Sequence, residues 1–232
     1  MDAAKQHLAS LSHGTILRIK NLESARGRQG RVWKLMPGQF LMTFVLKPKL
    51  SNLQAAQQLQ YLFMAITLGV LEPLKIYGAG LKWPNDIIIQ GKKVGGILME
   101  SVWQEEQLQG LVVGFAVNVN NRFEDDDPLQ KTATSVCSVM HQEFDIALLE
   151  QAFLQALNSF YTQWSDGKFQ SLFEFWKNAQ VFMGQKVFVH HRDGSVVSGI
   201  MQGVTPQGDL ILKDHLNNVI TVVYAQVLEV LT

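Results

Sequence analysis

The sequence predicts an α+β fold in two parts, a mixed β-sheet with packed helices over residues 1–182 and a small SH3-like β-barrel over residues 183–232. Three observations carry this reading. Apolar runs of strand length are interleaved with long segments of helical periodicity up to residue 177. Two apolar runs, Ile87-Ile88-Ile89 and Lys93-Val94-Gly95-Gly96-Ile97-Leu98-Met99-Glu100, flank the polar turn Gln90-Gly91-Lys92, the pattern of a hairpin of buried strands. Beyond residue 182 the pattern changes to short alternating strands separated by turns, a meander of small-barrel size.

In chain order, Ala4, Leu8 and Leu11 recur at helical spacing and His13-Gly14 closes the segment, which predicts a short amphipathic helix over Asp2 to Leu11. Thr15 to Lys20 reads as a strand, and so does Gly38 to Leu46, which Pro48 ends. Ser51 is a good cap for a long helix from Leu53 through Leu71, with Tyr61, Phe63 and Met64 in the core. Gly78-Ala79-Gly80 turns the chain into Lys82-Trp83-Pro84-Asn85-Asp86, where Pro84 sets a rigid kink before the hairpin. Gln107 to Val119 is a further apolar strand, and Thr134 to Val139 is strand-like. Helical periodicity returns from Asp145 to Trp164, through Ile146, Leu149, Phe153, Ala156, Leu157 and Phe160, and a second helix spans Phe169 to Lys177. The meander then comprises Lys186 to His190, Val196 to Gly203, Leu210 to Lys213 and Val219 to Val223.

Composition bounds the function. With 47% hydrophobic and 17% charged residues the chain is globular, and equal totals of 20 basic and 20 acidic residues give no global field toward nucleic acid or a membrane surface. Any basic site is therefore local. The single Cys137 has no disulfide or metal-cluster companion, which points to a reducing compartment and a core thiol. Met1 to Lys5 lacks the basic-then-apolar order of a signal peptide and no uninterrupted apolar run has membrane-spanning length, so the expectation is a soluble, cytoplasmic protein. None of the six histidines has the spacing of a helical metal pair. The run Glu124-Asp125-Asp126-Asp127 before Pro128 could hold a divalent cation but reads more simply as a solvated acidic loop.

Two stretches carry chemistry. Lys93 sits at the mouth of the buried hairpin beside Gly95 and Gly96, where a lysine needs an anionic partner and glycine lets a ligand approach the backbone. Read alone, Lys93 is either an anion site or an exposed turn residue. In Ser24-Ala25-Arg26-Gly27-Arg28-Gln29-Gly30-Arg31-Val32-Trp33, three arginines alternate with two glycines and an aromatic ring closes the run. Guanidinium groups bind phosphate or carboxylate oxygens in pairs, so this run suits a mobile loop folding over an anion, or else a basic loop binding nucleic acid nonspecifically.

Together, Arg26-Gly27-Arg28-x-Gly30-Arg31-x-Trp33, Lys82-Trp83-Pro84-Asn85-Asp86 and Lys93-x-x-Gly96-Ile97-Leu98-x-Glu100 resemble, in order and separation, the signature of biotin protein ligases. The resemblance implies a class II aminoacyl-tRNA synthetase/biotin ligase-like fold and a two-step reaction. Biotin and MgATP give biotinyl-5′-adenylate and pyrophosphate, and a lysine of a biotin carboxyl carrier protein then takes the acyl group. It implies Lys93 and Arg28 as catalytic residues. It places Arg26, Gly27, Arg28, Lys93, Gly95, Gly96, Ile97 and Leu98 around biotin, and Arg26, Arg28, Arg31, Trp33, Asn85, Asp86 and Asn118 around ATP or the adenylate. No protein ligand to Mg2+ is implied beyond Asp86 near the ion. Gly114-Phe115-Ala116-Val117-Asn118 resembles the family's Gly-x-Gly-x-Asn segment with Ala116 in place of the second glycine, and Ala133-Thr134-Ser135 matches another family segment.

The family pattern has a strand and a Ser-Thr pair ahead of the first helix, and by resemblance this chain begins just after that pair, like the short type without a helix-turn-helix module. Leu22 stands where the family has a glutamine along biotin, so weakened biotin binding is expected. The partner implied is a carboxylase carrier domain, with no nucleic acid or membrane, and a homodimer is allowed. The competing readings are a lipoate ligase, a non-catalytic homologue that binds nucleotide or carrier domain, and a nucleic-acid-binding protein.

Overall fold

The computed structural model describes residues 1–17, 25–50 and 55–231. The expected strand beyond Leu17, Leu22, the Ser51 cap and the start of the long helix at Leu53 lie outside them. A short helix α1 (Asp2–Gln6) and a 3-10 turn (Leu8–Ser10) replace the single helix expected to Leu11, because the chain tightens at His7 and so sets Ala4 and Leu8 against Val45 and Val112. The main sheet contains β1 (Ile16–Leu17), β4 (Gln39–Leu46), β5 (Gly80–Lys82), β6 (Asp86–Ile89), β7 (Lys92–Gln104) and β8 (Gln107–Asn118), in the order β1-β4-β8-β7-β6-β5. A separate two-stranded ribbon pairs β2 (Ala25–Arg26) with β3 (Val32–Trp33).

The sheet is antiparallel at every strand pair, not mixed. Short turns join β5 through β8 as successive hairpins, which leaves no parallel crossover among them. Parallel pairing is confined to two isolated bridges, Leu81 with Gln180 and Lys93 with Ala133. Helix α2 (Ala55–Leu71) crosses between β4 and β5, and a 3-10 turn (Glu72–Tyr77) that stops at left-handed Gly78 completes the crossing.

One face of the sheet is covered by α2, α4 (Ile146–Ser165) and α5 (Phe169–Asn178). Phe40 stacks on Phe153 at 5.1 Å and Tyr61 on Phe169 at 4.9 Å, which locks the helices to strand and to each other. Helix α2 meets α4 so closely at Gly69 that a Cβ there would lie 2.8 Å from the Leu157 Cα. The segment Gln58–Tyr77 is long and apolar enough to cross a membrane by length and composition, but it is a core element with 67% of its apolar window buried.

Thr134 to Val139 is not a strand. Ser135 caps α3 (Val136–Met140) by accepting from the Ser138 amide, and left-handed His141 ends the helix. The β-branched valines had masked the cap. Cys137 is fully buried there.

The C-terminal strands β9 (Lys186–His191), β10 (Val196–Val204), β11 (Leu210–Lys213), β12 (Val219–Val222) and β13 (Val227–Leu231) form an open antiparallel sheet in the order β12-β11-β10-β9-β13. The expected meander is present with a fifth strand that the pattern had not shown. Its apolar side joins the main core, and the Trp83 indole donates to the Gly208 carbonyl at 2.8 Å, tying the two sheets together.

Candidate functional site

The uncovered face of the main sheet holds a cleft of about 290 Å³. Its floor is built by register. Leu41, Ala116, Gly96, Asp86 and Lys82 stand directly opposite one another across five strands, and Leu17, Thr43, Gly114 and Leu98 form the next row. Directly paired residues share a face, so both rows line the cleft. A third row, Val45, Val112 and Glu100, lies beyond, where Ala4 and Leu8 cover its valines. The floor is thus small and apolar at β4 and β8 and charged at β5 and β6.

At the charged end, the Lys93 ammonium lies 2.6 Å from Asp86 Oδ1 and 5.7 Å from the Trp33 ring centre. Gly96 makes the room for this pair, since a Cβ there would lie 3.4 Å from Lys93 Nζ. A bulge between Ile87 and Ile88 puts Lys93 opposite Ile88, which turns it beside Asp86 rather than away from it. The hairpin therefore supplies the anionic partner that a lysine at its mouth requires.

The arginine-glycine run arches over this end. Gln29 at φ 59° and Gly30 at φ 74° make two successive left-handed residues, so the glycine here serves a tight turn rather than general mobility. Arg28 donates to Asn85 Oδ1 and to the Val227 carbonyl, both at 3.3 Å, and its guanidinium sits 4.5 Å above the Tyr224 ring. Burial lowers the Arg28 pKa from its usual value. Gln29 donates to the same Val227 carbonyl at 2.7 Å, and Arg31 donates to the Leu228 carbonyl at 3.2 Å beside Glu229. Asn85 in turn donates to the Ile97 carbonyl, fastening the loop to β7.

Of the residues singled out in the sequence, Arg26, Gly27, Arg28, Arg31, Trp33, Asn85, Asp86, Lys93, Gly96, Ile97 and Leu98 line the cleft together. Arg26 faces carboxylates rather than open cleft, donating to Asp2 at 2.6 Å and Glu100 at 2.8 Å. Gly95 lies behind the floor, where a Cβ would lie 2.9 Å from the Ala116 carbonyl oxygen. Asn118 is buried outside the lining, accepting from Gln39 and donating to the Thr134 carbonyl, one residue from the segment that bridges Lys93. The Trp33 indole N–H is buried without a partner among the described residues.

A model of the biotin/lipoate A/B protein ligase family matches residues 4–118. A biotin–[acetyl-CoA-carboxylase] ligase of Paracoccus denitrificans is 30% identical over 206 residues, covering 82% of this chain and 80% of the relative. The chain belongs to the biotin/lipoate A/B protein ligase family. The bifunctional ligase/repressor BirA of Bacillus subtilis is 29% identical over 205 residues, and the match covers 87% of this chain but 62% of that relative. The fold is that of the Aquifex aeolicus biotin protein ligase solved with biotin and ATP, with a TM-score of 0.82 over 99% of this chain and 93% of that one at 23% identity.

In this family member, five residues contribute to the site without a signal in the sequence: Met1 and Asp2, the aromatic face of Tyr224, and the carbonyls of Val227 and Leu228. Backbone carbonyls carry no sequence signal at all. Tyr224 belongs to a turn some two hundred residues from the loop it supports, with no local pattern to mark it. Lys82 was visible as a motif residue, and only the cross-strand row places it on the cleft floor.

Proposed function

We propose that the chain is an ATP-dependent biotin–protein ligase, forming biotinyl-5′-adenylate and then passing biotin to a lysine of a biotin carboxyl carrier domain. The observation that carries this reading is the Lys93–Asp86 pair over Gly96, set where an apolar floor meets the arginine loop. A bicyclic apolar acid fits the floor formed by Leu98, Gly114, Ala116 and Leu41, with its carboxylate toward Lys93. The nucleotide lies under the loop, beside the Trp33 N–H that has no partner among the described residues and the Arg28 guanidinium held by Asn85 and Val227. In the first step a biotin carboxylate oxygen bonds the α-phosphorus and the bond to the β-phosphate bridging oxygen breaks, releasing pyrophosphate. Lys93 neutralises charge at the crowded pentacoordinate phosphorus. In the second step the carrier amine attacks the acyl carbon, loses a proton, and AMP leaves. The loop excludes water from the reactive anhydride between the steps.

Magnesium enters as MgATP. Among the described residues no group of three or more His, Cys, Asp or Glu could cage an ion, and Asp86 is engaged by Lys93, so no step is routed through a resident metal. Residues 1–182 would form the catalytic unit and residues 183–232 an SH3-like module, a reading supported by the five-stranded meander and its bulge between Met201 and Gly203. The buried single thiol of Cys137 suits a cytoplasmic location.

Two assays test the reaction: biotin-dependent exchange of label between pyrophosphate and ATP, and transfer of labelled biotin to a carrier domain. Both are expected. Exchange with lipoate and not biotin, or nucleotide binding without exchange, would replace the reading with a lipoate ligase or a non-catalytic homologue.

A further inference from the structure

We propose that Tyr224 is a positioning residue for the adenylate: its ring seats the Arg28 guanidinium over the cleft and so makes the C-terminal sheet part of the closed loop. This rests on the ligase reading above, in which Arg28 attends the adenylate. Arg28 differs from the neighbouring arginines in what holds it. Arg26 is spent on the carboxylates of Asp2 and Glu100, and Arg31 lies 3.7 Å from Glu229. Arg28 forms no ion pair among the described residues. Its contacts are two neutral oxygens, on Asn85 and Val227 and both at 3.3 Å, and the Tyr224 ring centre 4.5 Å away. Oxygens at that distance are at the long edge of hydrogen bonding, so the ring face is the partner that fits closely. A guanidinium stacked on a neutral ring is held in place without being neutralised, and it keeps its charge for an incoming anion.

The ring can hold Arg28 because it is itself held. Tyr224 opens the 3-10 turn (Tyr224–Gln226) between β12 and β13, and its amide donates to Asp209 Oδ1 at 3.1 Å. Its ring meets the Trp83 ring edge-to-face at 6.0 Å and the Phe63 ring of α2 at 6.4 Å. Trp83 is buried and donates to the carbonyl of Gly208, the residue before Asp209, so the indole and the turn are clamped together. Two residues after Trp83, Asn85 supplies the other side-chain contact to Arg28. The guanidinium thus sits between two arms of one fixed unit, Asn85 from the turn between β5 and β6 and Tyr224 from the C-terminal sheet. Burial pushes the Tyr224 phenol pKa up, and the charges of Arg28 and Arg192 pull it back without reversing the direction. The hydroxyl therefore stays protonated at neutral pH, and Arg28 meets a π face and not a phenolate. Arg192 repels Arg28, which favours its departure once the ring is gone.

The test measures the dissociation constant of synthetic biotinyl-5′-adenylate by calorimetry on the full chain, for the parent, Tyr224→Leu, Tyr224→Phe, Arg28→Ala and the Tyr224→Leu, Arg28→Ala double variant. Tyr224→Leu keeps apolar bulk and loses the π face, and it is expected to weaken binding by about three- to tenfold. Tyr224→Phe keeps the face and should restore binding to within about twofold of the parent. In the Arg28→Ala background, Tyr224→Leu should add less than about twofold, because the ring acts through the arginine. Adding fluorine stepwise to the ring of Tyr224→Phe drains negative potential from its face with little change of shape, so affinity should fall at each step, and this series carries the test even if the leucine variant does not fold. Parent affinity in Tyr224→Leu, a loss that phenylalanine does not rescue, an equal loss in the Arg28→Ala background or a flat fluorine series would overturn the inference. A parent chain that binds no biotinyl-5′-adenylate defeats the ligase reading first and this inference with it.

Discussion

The floor of the cleft is set by backbone register, whereas its rim is held by long side chains that reach across to a different sheet. Every floor residue from Leu41 to Lys82 has its place because its strand partner fixes it in register. The rim hangs on Arg28, Gln29 and Arg31, which reach the carbonyls of Val227 and Leu228 in β13, and on Lys34, which reaches Asp127. A floor of this kind moves only when the sheet moves. A rim of this kind can release by rotamer changes, which suits a cover that must admit nucleotide and later expose the acyl group to a carrier lysine.

The difference predicts that damage to the floor and damage to the rim read out in different assays. The largest effect is expected from Lys93→Ala, which removes the one ammonium at the junction of floor and rim. It should lower the rate of adenylate formation by about 10²–10³-fold, measured as pyrophosphate release, with an unchanged melting temperature. A rate within threefold of the parent would shift the catalytic charge to the rim arginines.

Next in size is Gly95→Ala. Its methyl group would lie 2.9 Å from the Ala116 carbonyl oxygen in the neighbouring strand, and backbone cannot swing aside as a side chain can. Overpacking of this kind costs about 1–3 kcal/mol, read as a lower urea midpoint. Gln29→Ala, in contrast, removes one half-buried hydrogen bond from the rim and should cost about 1 kcal/mol or less. Its signature is faster escape of the adenylate, followed by stopped-flow chase with unlabelled biotin. If Gln29→Ala destabilises the fold as much as Gly95→Ala, the rim is as rigid as the floor and the contrast fails.

The same contrast explains what could be read from the sequence. Floor residues are legible because strands announce themselves by apolar period and the hairpin by its Gly-containing turn, so Gly96, Ile97, Leu98 and Lys93 stand out in the sequence itself. Even there, the bulge that turns Lys93 toward Asp86 is invisible in a string of residues, and so are the bonds that Asn118 makes with Gln39 and the Thr134 carbonyl. Rim residues were half legible. The arginine-glycine run declared its chemistry, but its partners Val227, Leu228 and Tyr224 lie in or beside a strand missed by periodicity, whose acceptors are backbone atoms common to every residue. Arg26 illustrates the limit most sharply, since the sequence shows a guanidinium suited to an anion but not the Asp2 and Glu100 carboxylates that the fold sets beside it.

The smallest effect concerns the far corner of the rim, where Lys34, directly after Trp33, meets Asp127 at 2.5 Å. The hydrogen bond from Lys34 holds the Asp127 carboxyl below its usual range, and the same contact raises the Lys34 ammonium above its own. For a carboxyl whose folded pKa is depressed, the stabilisation is present above the unfolded value of about 3.9 and disappears as pH falls through the lower folded value. For a lysine whose folded pKa is raised, it is complete below the unfolded value of about 10.4 and is lost as pH climbs past the folded one. Between those limits the contact is constant, so its contribution should form a plateau across neutral pH. Asp127→Asn is therefore expected to lower the urea midpoint slightly at pH 7, by an amount that shrinks as the pH falls through the acid range. Asparagine can still accept from the Leu129 amide, so a difference that persists in acid would mean that the ion pair is not what the substitution removes, and high salt at pH 7 checks this, because screening weakens an exposed ion pair but leaves a capping hydrogen bond in place.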